Sequence, residues 1–380
     1  MNSRATTKRI EISQHASGPD HAGWAVPADE DAQAALDPIT SAWRDLEGAP
    51  TSPTQHFDWS RSCAEAFHDG RSPDTVIVRD RGRATAIAAL VRTSEPIPRL
   101  ELMGVRELFE PTDFLYADAG ALDELALRLA NQPLPLRLMR LPASSPVVPA
   151  LERAFRGRGI IRAAPTSPCP FIDLDPSWAD PEKNFNSGRR SDFRRARRHA
   201  EQLGAVTLDV LAPAPHEVGA LLDEALAVEA LSWKGTKGTA LALDPVRARF
   251  FRRYAVAAAA QGILRLAFMR VAGKAVGMQI ALECHGRFWL LKIGYDEGVS
   301  RCSPGNQLML HSLKYAAVRG LVSYEFLGAA APWTATWTTK LRACTVVRAY
   351  PFSLSGMSAL ALDGAQWMRR RLEDRRKGGV

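Results

Sequence analysis

The segments VIVRDRGRATAIAAL (76–90) and LAFMRVAGKAVGMQIAL (266–282) follow one pattern: an apolar run, a glycine turn beside a basic residue, and a second apolar run. Each reads as a β-hairpin. The elements around the two copies come in the same order: helices, hairpin, further strand, helix, strand, helix, strand. The bland alternative is coincidence, because hairpins with glycine turns are common. Read as a repeat, the pattern predicts an α/β (α+β) chain of two related lobes, each a mixed central sheet flanked by helices. The lobes are expected to superpose. The 380 residues are comfortable for two domains. The expected division is a flexible N-terminus over 1–35, a first lobe over 36–176, a second over 177–355 and a basic tail over 356–380.

The first lobe reads as helices at 38–46 and 55–68, then strands at 75–80 and 84–92. Extended pieces follow at 99–104 and 113–118, then a helix at 121–131, a strand at 135–141, a helix at 146–157 and a strand at 171–174. The second lobe reads as a basic helix at 187–203, a strand at 206–211 and helices at 215–232 and 245–261. Strands follow at 263–271, 275–283 and 287–296, then a helix at 303–320, a strand at 322–328, a short helix at 332–342 and a strand at 345–352.

The chain contains no uninterrupted apolar stretch long enough to span a bilayer. Its polar start lacks the apolar core of a secretory signal, so the cytoplasm is the expected compartment. Five cysteines, at 63, 169, 284, 302 and 344, form no CxxC pair. Free thiols and no bound metal are expected. The net charge of +8 favours an anionic partner. The charge is concentrated in the arginine-rich run 189–198 and in RRRLEDRRK (369–377). Phe193 is the single aromatic residue in the first run, so nucleic-acid stacking is not suggested.

The helix opening at Ser303 is the most informative element. Ser303 can cap it, Pro304 suits its first turn and Gly320 its end. A helix start is an anion site, since its first N–H groups and its dipole point outward. Gly305 would let a phosphate approach the backbone. Arg301 could pair with the charge, and Asn306 and Gln307 carry side-chain donors. Taken alone, Ser-Pro-Gly is simply a common helix start.

The element order of 177–352 resembles the core of the GNAT (Gcn5-related N-acetyltransferase) superfamily. Tyr295 with Ser303-Pro304-Gly305 resembles the CelD-like branch, associated with cellulose biosynthesis, as do 187–204, E229ALSWKG235, G320LVSYEFLG328 and W337TTKLR342. The segment R301CSPGNQL departs from the usual R/Q-x-x-G-x-G/A diphosphate loop, with its glycine one place late and no second glycine. The two-lobed plan is similar to that of Fem-type peptidyl transferases, which use aminoacyl-tRNA. The resemblance implies transfer from acetyl-CoA or another acyl-CoA to an amine of a small molecule or saccharide precursor. It implies that the pantetheine pairs with the strand backbone at Leu291 and Ile293. The diphosphate would then sit at Arg301, Ser303, Gly305, Asn306 and Gln307. Alternatives are an aminoacyl-tRNA-dependent transferase, with tRNA as the one nucleic-acid partner, or a degenerate GNAT scaffold in polysaccharide biosynthesis.

Glu283, Asp296 and Glu325 are candidate general bases, and Glu229 a further one. Tyr295 and Tyr324 are candidate general acids. Lys234 and Lys340 could bind phosphate or an acidic substrate, and Trp233, Trp333 and Trp337 could line a substrate cleft. Each has an ordinary structural reading beside the functional one: surface charge for the ionisable groups, core packing for the aromatic ones.

Overall fold

The computed structural model describes residues 36, 39–48, 52–67, 71–232, 238 and 241–377. The lead-in 1–35, Trp233 and Lys234 lie outside the described residues. The first half comprises α1 (Thr40–Leu46), α2 (Phe57–Ala66), β1 (Ser72–Pro73), β2 (Val76–Asp80), β3 (Arg83–Ala88), β4 (Leu90–Arg92), β5 (Leu100–Leu102), α3 (Val105–Leu108), β6 (Leu115–Tyr116), α4 (Ala119–Ala130), β7 (Leu136–Pro142), α5 (Val147–Ala154) and β8 (Gly159–Asp173). The second half comprises α6 (Ser187–Leu203), β9 (Val206–Leu211), α7 (Val218–Ala230), α8 (Pro245–Ala260), β10 (Leu264–Val271), β11 (Lys274–Cys284), β12 (Arg287–Tyr295), α9 (Pro304–Val318), β13 (Ser323–Glu325), β14 (Leu341–Pro351) and α10 (Leu354–Lys377).

The expectation of an α/β chain with two mixed-sheet lobes is met, but the two sheets are continuous. Eleven strands run in the order β1-β4-β5-β7-β14-β8-β13-β12-β11-β10-β9. The long strand β8 makes the join. Gly159 to Pro170 pair with β14, and Phe171 to Asp173 pair with β13. β14 comes late in the chain yet lies between β7 and β8, in the first lobe's sheet.

The repeat is visible in both turns and topology. Arg81-Gly82 (φ 46° and 84°) and Ala272-Gly273 (φ 50° and 80°) close the two hairpins with consecutive left-handed residues. This is the turn whose twist matches that of its strands. Each lobe also has one parallel strand pair linked through helix: β5 with β7, and β12 with β13. The copies diverge at the second arm of the first hairpin. The run read as one strand over 84–92 breaks after Ala88. Its first part joins a separate sheet in the order β2-β3-β6, and its second part, β4, enters the large sheet.

One apolar core crosses between the lobes. Trp59 of α2 packs edge-on against Phe250 and Tyr254 of α8, with ring centroids 5.0 and 4.9 Å away. Beside it, His56 and His285 meet Nε2 to Nε2 at 2.8 Å, and His56 Nδ1 is buried with no partner among the described residues. One neutral ring donates and the other accepts. Burial first, and then the charge of His285, lower the His56 pKa from 6.5 to about 4. A folded-state pKa below the unfolded one gives stability that is complete above the unfolded value and is lost in acid. Thermal stability is therefore expected to fall as the pH drops from 6.5 towards 4. His56→Gln, which keeps a donor and an acceptor but cannot titrate, is expected to flatten that part of the melting profile. An unchanged pH slope in the variant would assign the acid sensitivity elsewhere.

Further assignments change: the strand read at 171–174 is the end of the fifteen-residue β8. The region read as a helix at 332–342 is a single 3₁₀ turn, Thr334–Thr336, followed by β14. Its run of β-branched threonines disfavours helix. The segment read as a basic tail, 356–380, is mostly the 24-residue helix α10.

Candidate functional site

β12 is the element around which a site can be built. β11 pairs along one side of it, with a register shift: Ala281 faces Leu290 and Ile280 faces Lys292, so Leu291 is an extra residue, a β-bulge. On the other side, β13 pairs in parallel at three positions, ending at Trp289 opposite Glu325. Leu327 and Gly328 then take left-handed φ values of 56° and 48° and turn the chain away. Beyond Trp289, β12 has no ladder partner other than β11 among the described strands, and this break in the ladder, between β12 and the end of β13, is called the slot.

The slot leads to the start of α9. Ser303 is left-handed (φ 44°), Pro304 and Gly305 form the first turn, and Ser303 gives no side-chain cap. The N–H groups of Gly305 and Asn306 have no partner among the described residues. A Cβ on Gly305 would lie 3.3 Å from the Tyr295 ring, and one on Gly277 of β11 would lie 3.2 Å from Pro304. Both glycines let the helix start sit against the strands. Arg301 is exposed on the preceding turn, and α6 with its arginines packs along that turn.

Other expected residues have structural work. Gln307 does not face outward: its Nε2 donates to the Cys302 carbonyl at 2.7 Å and the residue is buried. Glu283 lies at the far end of the β11–β12 hairpin. It accepts from Arg265 Nε (2.9 Å), Tyr315 OH (2.7 Å) and Arg319 Nη2 (2.7 Å). Burial works against its charge, yet those donors hold the pKa below the usual carboxylate value. Glu325 is buried and chelated by Arg342 at 2.6 and 2.8 Å, and Ser323 donates to it. Asp296 caps the turn at Gly298 N and meets Lys274 Nζ at 3.4 Å. Glu229 is buried and accepts from Leu241 N at 2.9 Å. Tyr324 is fully buried, with its hydroxyl 3.0 Å from Ser312 Oγ, and burial pushes its pKa up. Trp337 stacks on Phe193 in a core cluster, so it does not line the slot. Lys340 is exposed and pairs with Asp173, and Trp333 is half exposed beside Phe326. Tyr295, Leu291, Ile293 and Gly305 are the expected residues that the fold brings together, with Ser303, Asn306 and Arg301 at the helix start.

The first lobe supplies a group that the sequence reading missed. Glu110, on the loop between α3 and β6, is buried, and its Oε2 accepts from Gly328 N at 2.9 Å, where the chain leaves β13. Arg140 of β7 donates to the Gly328 carbonyl from the other side. The fully buried guanidinium also donates to Ser167 O at 2.9 Å and to Cys169 Sγ at 2.7 Å. Burial raises the Glu110 pKa, opposed by the Gly328 N–H and by the charges of Lys292 and Arg140. The pKa of this carboxyl therefore sits above that of an ordinary glutamate, at the point where the chain leaves β13. The cue in the sequence is Phe109-Glu110-Pro111, an acid set between apolar residues. It lies in the half whose polar residues carried no recognised motif.

Comparison with known proteins follows this geometry. Residues 187–334 match the family described as Acetyltransferase (GNAT) domain, a span that runs from α6 past β13. No curated protein matches the chain in sequence. FemX is similar in structure, with TM-score 0.54 and 9% identity over 82% of this chain and 96% of that one. The C-terminal domain of a putative lysylphosphatidylglycerol synthetase from Agrobacterium fabrum is similar too, with TM-score 0.52 and 12% identity over 87% and 96%. A conserved protein of unknown function from Bacteroides thetaiotaomicron has TM-score 0.52 and 11% identity over 85% and 99%. These likenesses span both lobes and concern the fold. Residues 187–334 thus match the acetyltransferase (GNAT) domain family, in a chain whose two halves share one sheet.

Proposed function

We propose that the chain is an N-acyltransferase that takes its acyl group from acetyl-CoA or another acyl-CoA. The supporting observation is the bulge of β12 at Leu291, where its parallel ladder with β13 has ended, leading directly to the uncapped start of α9. A pantetheine arm would lie where β12 and β13 part, beside the Leu291 bulge. Gly305 and Asn306 can donate N–H groups to the diphosphate, with Arg301 and the arginines of α6 around it. A backbone N–H near the Leu291 bulge is suitably placed to hold the thioester oxygen as charge develops.

The acceptor amine would approach from the first lobe, where Glu110 takes its proton. The amine nitrogen attacks the thioester carbon, the C–S bond breaks, and the CoA thiolate leaves and is protonated. Tyr295, whose ring lies against Gly305 at the helix start, is the candidate acid. Positioning and oxyanion stabilisation would account for most of the acceleration. The acceptor is proposed to be an amine on a small molecule or saccharide precursor in the cytoplasm. The resemblance to the CelD-like branch supports a place in polysaccharide biosynthesis.

A second reading, transfer from aminoacyl-tRNA, is favoured by the arginine-rich face of α6 beside the same helix start and by the likeness to FemX. A thermal-shift panel with CoA, acetyl-CoA, longer acyl-CoAs and tRNA separates the readings. The proposal expects a rise in melting temperature with CoA compounds and none with tRNA. A rise with tRNA alone would favour the second, and no rise with any ligand would favour a scaffold.

A further inference from the structure

We propose that α10 docks the protein on an anionic membrane surface, lying in its plane. The helix has two faces. Gly356, Ala359 and Asp363, spaced by three and four residues, face the body. A Cβ on Gly356 would fall within 2.9 Å of three Pro351 atoms, so only glycine fits there. The Asp363 carboxylate accepts from Arg99 Nη1 and Nη2 at 2.7 and 2.6 Å, and from Tyr350 OH at 2.6 Å. This bidentate clamp fixes the roll of the helix on the protein. The opposite face is apolar: Leu354 is 88% exposed, Met357 41% and Met368 57%, with Ala361 between them on the same stripe. Trp367, one turn beyond Asp363, continues the body-side row rather than this stripe; it is 58% exposed, and the Arg371 guanidinium lies 4.8 Å from its ring centroid.

The charge pattern selects the occupant. Residues 369–377 carry five arginines and one lysine against Glu373 and Asp374. An apolar stripe that runs into a basic end matches the interface between lipid tails and anionic headgroups. A second copy of the helix is disfavoured by charge, because the basic ends of two copies side by side would repel. The helix is not apolar enough to cross a bilayer, and docking in the plane does not require it.

The test is co-sedimentation of the full chain with vesicles of phosphatidylglycerol and phosphatidylcholine, against vesicles of phosphatidylcholine alone. Binding is expected to be about tenfold or more stronger to the anionic vesicles and to weaken as salt is raised. The triple variant Leu354→Ser, Met357→Ser, Met368→Ser is expected to lose most of that binding with its melting temperature unchanged, since these side chains face solvent. Arg194→Ser with Arg195→Ser, on the separate basic helix α6, is expected to bind as the wild type does. Equal binding to both vesicle types would overturn the proposal. So would loss only in the α6 variant, or a concentration-dependent dimer abolished by the triple variant.

Discussion

Glu110→Gln is expected to lower the rate of acyl transfer by about 10²–10⁴-fold, the usual contribution of a positioned general base. The substitution is close to isosteric. The amide oxygen can still accept from Gly328 N, so the end of β13 should keep its place and the donor its affinity. What is lost is the capacity to take a proton from the acceptor amine. In the wild type, burial raises the Glu110 pKa, so the base-dependent limb of the rate profile should rise with pH through a value above that of an ordinary glutamate. The variant should lose that limb. Glu283→Gln and Glu325→Gln provide the contrast. Each breaks a carboxylate–arginine pair, so each should lower the melting temperature more than the rate per folded molecule. Steady-state kinetics with melting curves on all three variants is the check. An undiminished rate in Glu110→Gln would remove the first lobe from the chemistry.

Gly305→Val is expected to weaken acetyl-CoA binding by about a hundredfold or more. Two N–H bonds to a diphosphate are worth about 1.5–3 kcal/mol each when charge-assisted, and each 1.4 kcal/mol is a factor of ten. A Cβ at this position meets the Tyr295 ring at 3.3 Å, and the branches of valine would crowd the surface where phosphate must approach. No left-handed φ is imposed on Gly305, so the backbone itself accepts valine. Arg301→Ala should have a smaller effect, about 1.5–3 kcal/mol if it makes one charge-assisted bond, with little cost in stability because the residue is exposed. Calorimetric titration of folded variants decides. Unchanged affinity in both would move the anion site to α6.

The second lobe was legible because its signals are local. β9 coincides with the expected 206–211, and β10 to β12 and α9 fall within a residue or two of expectation. Their alternation and the punctuation of Ser303, Pro304 and Gly320 act over short range. The position of β14 could not be read, because its pairing with β7 joins residues about two hundred positions apart. β8 was obscured by Pro165, Pro168 and Pro170. The structure tolerates them where β8 has a strand neighbour on one side only, so a missing N–H leaves no ladder bond unmade. α10 was hidden by Gly356 and Gly364 and by an apolar stripe that faces solvent. Within the proposed site, the helix start at Ser303 was legible, and Glu110, proposed as the base, was not. Glu283 and Glu325 were singled out for lying on central strands, but facing arginines commit them. Glu110 reaches the slot through lobe-to-lobe packing, which no local pattern encodes.

Residue-resolved hydrogen–deuterium exchange of the whole chain, with and without acetyl-CoA, tests the central claim most directly. The account predicts slower exchange at two places upon binding: the backbone of β12 from Leu290 to Tyr295, and the N–H groups of Gly305 and Asn306. Protection confined to α6 or the first lobe, with both of those segments unaffected, would contradict it.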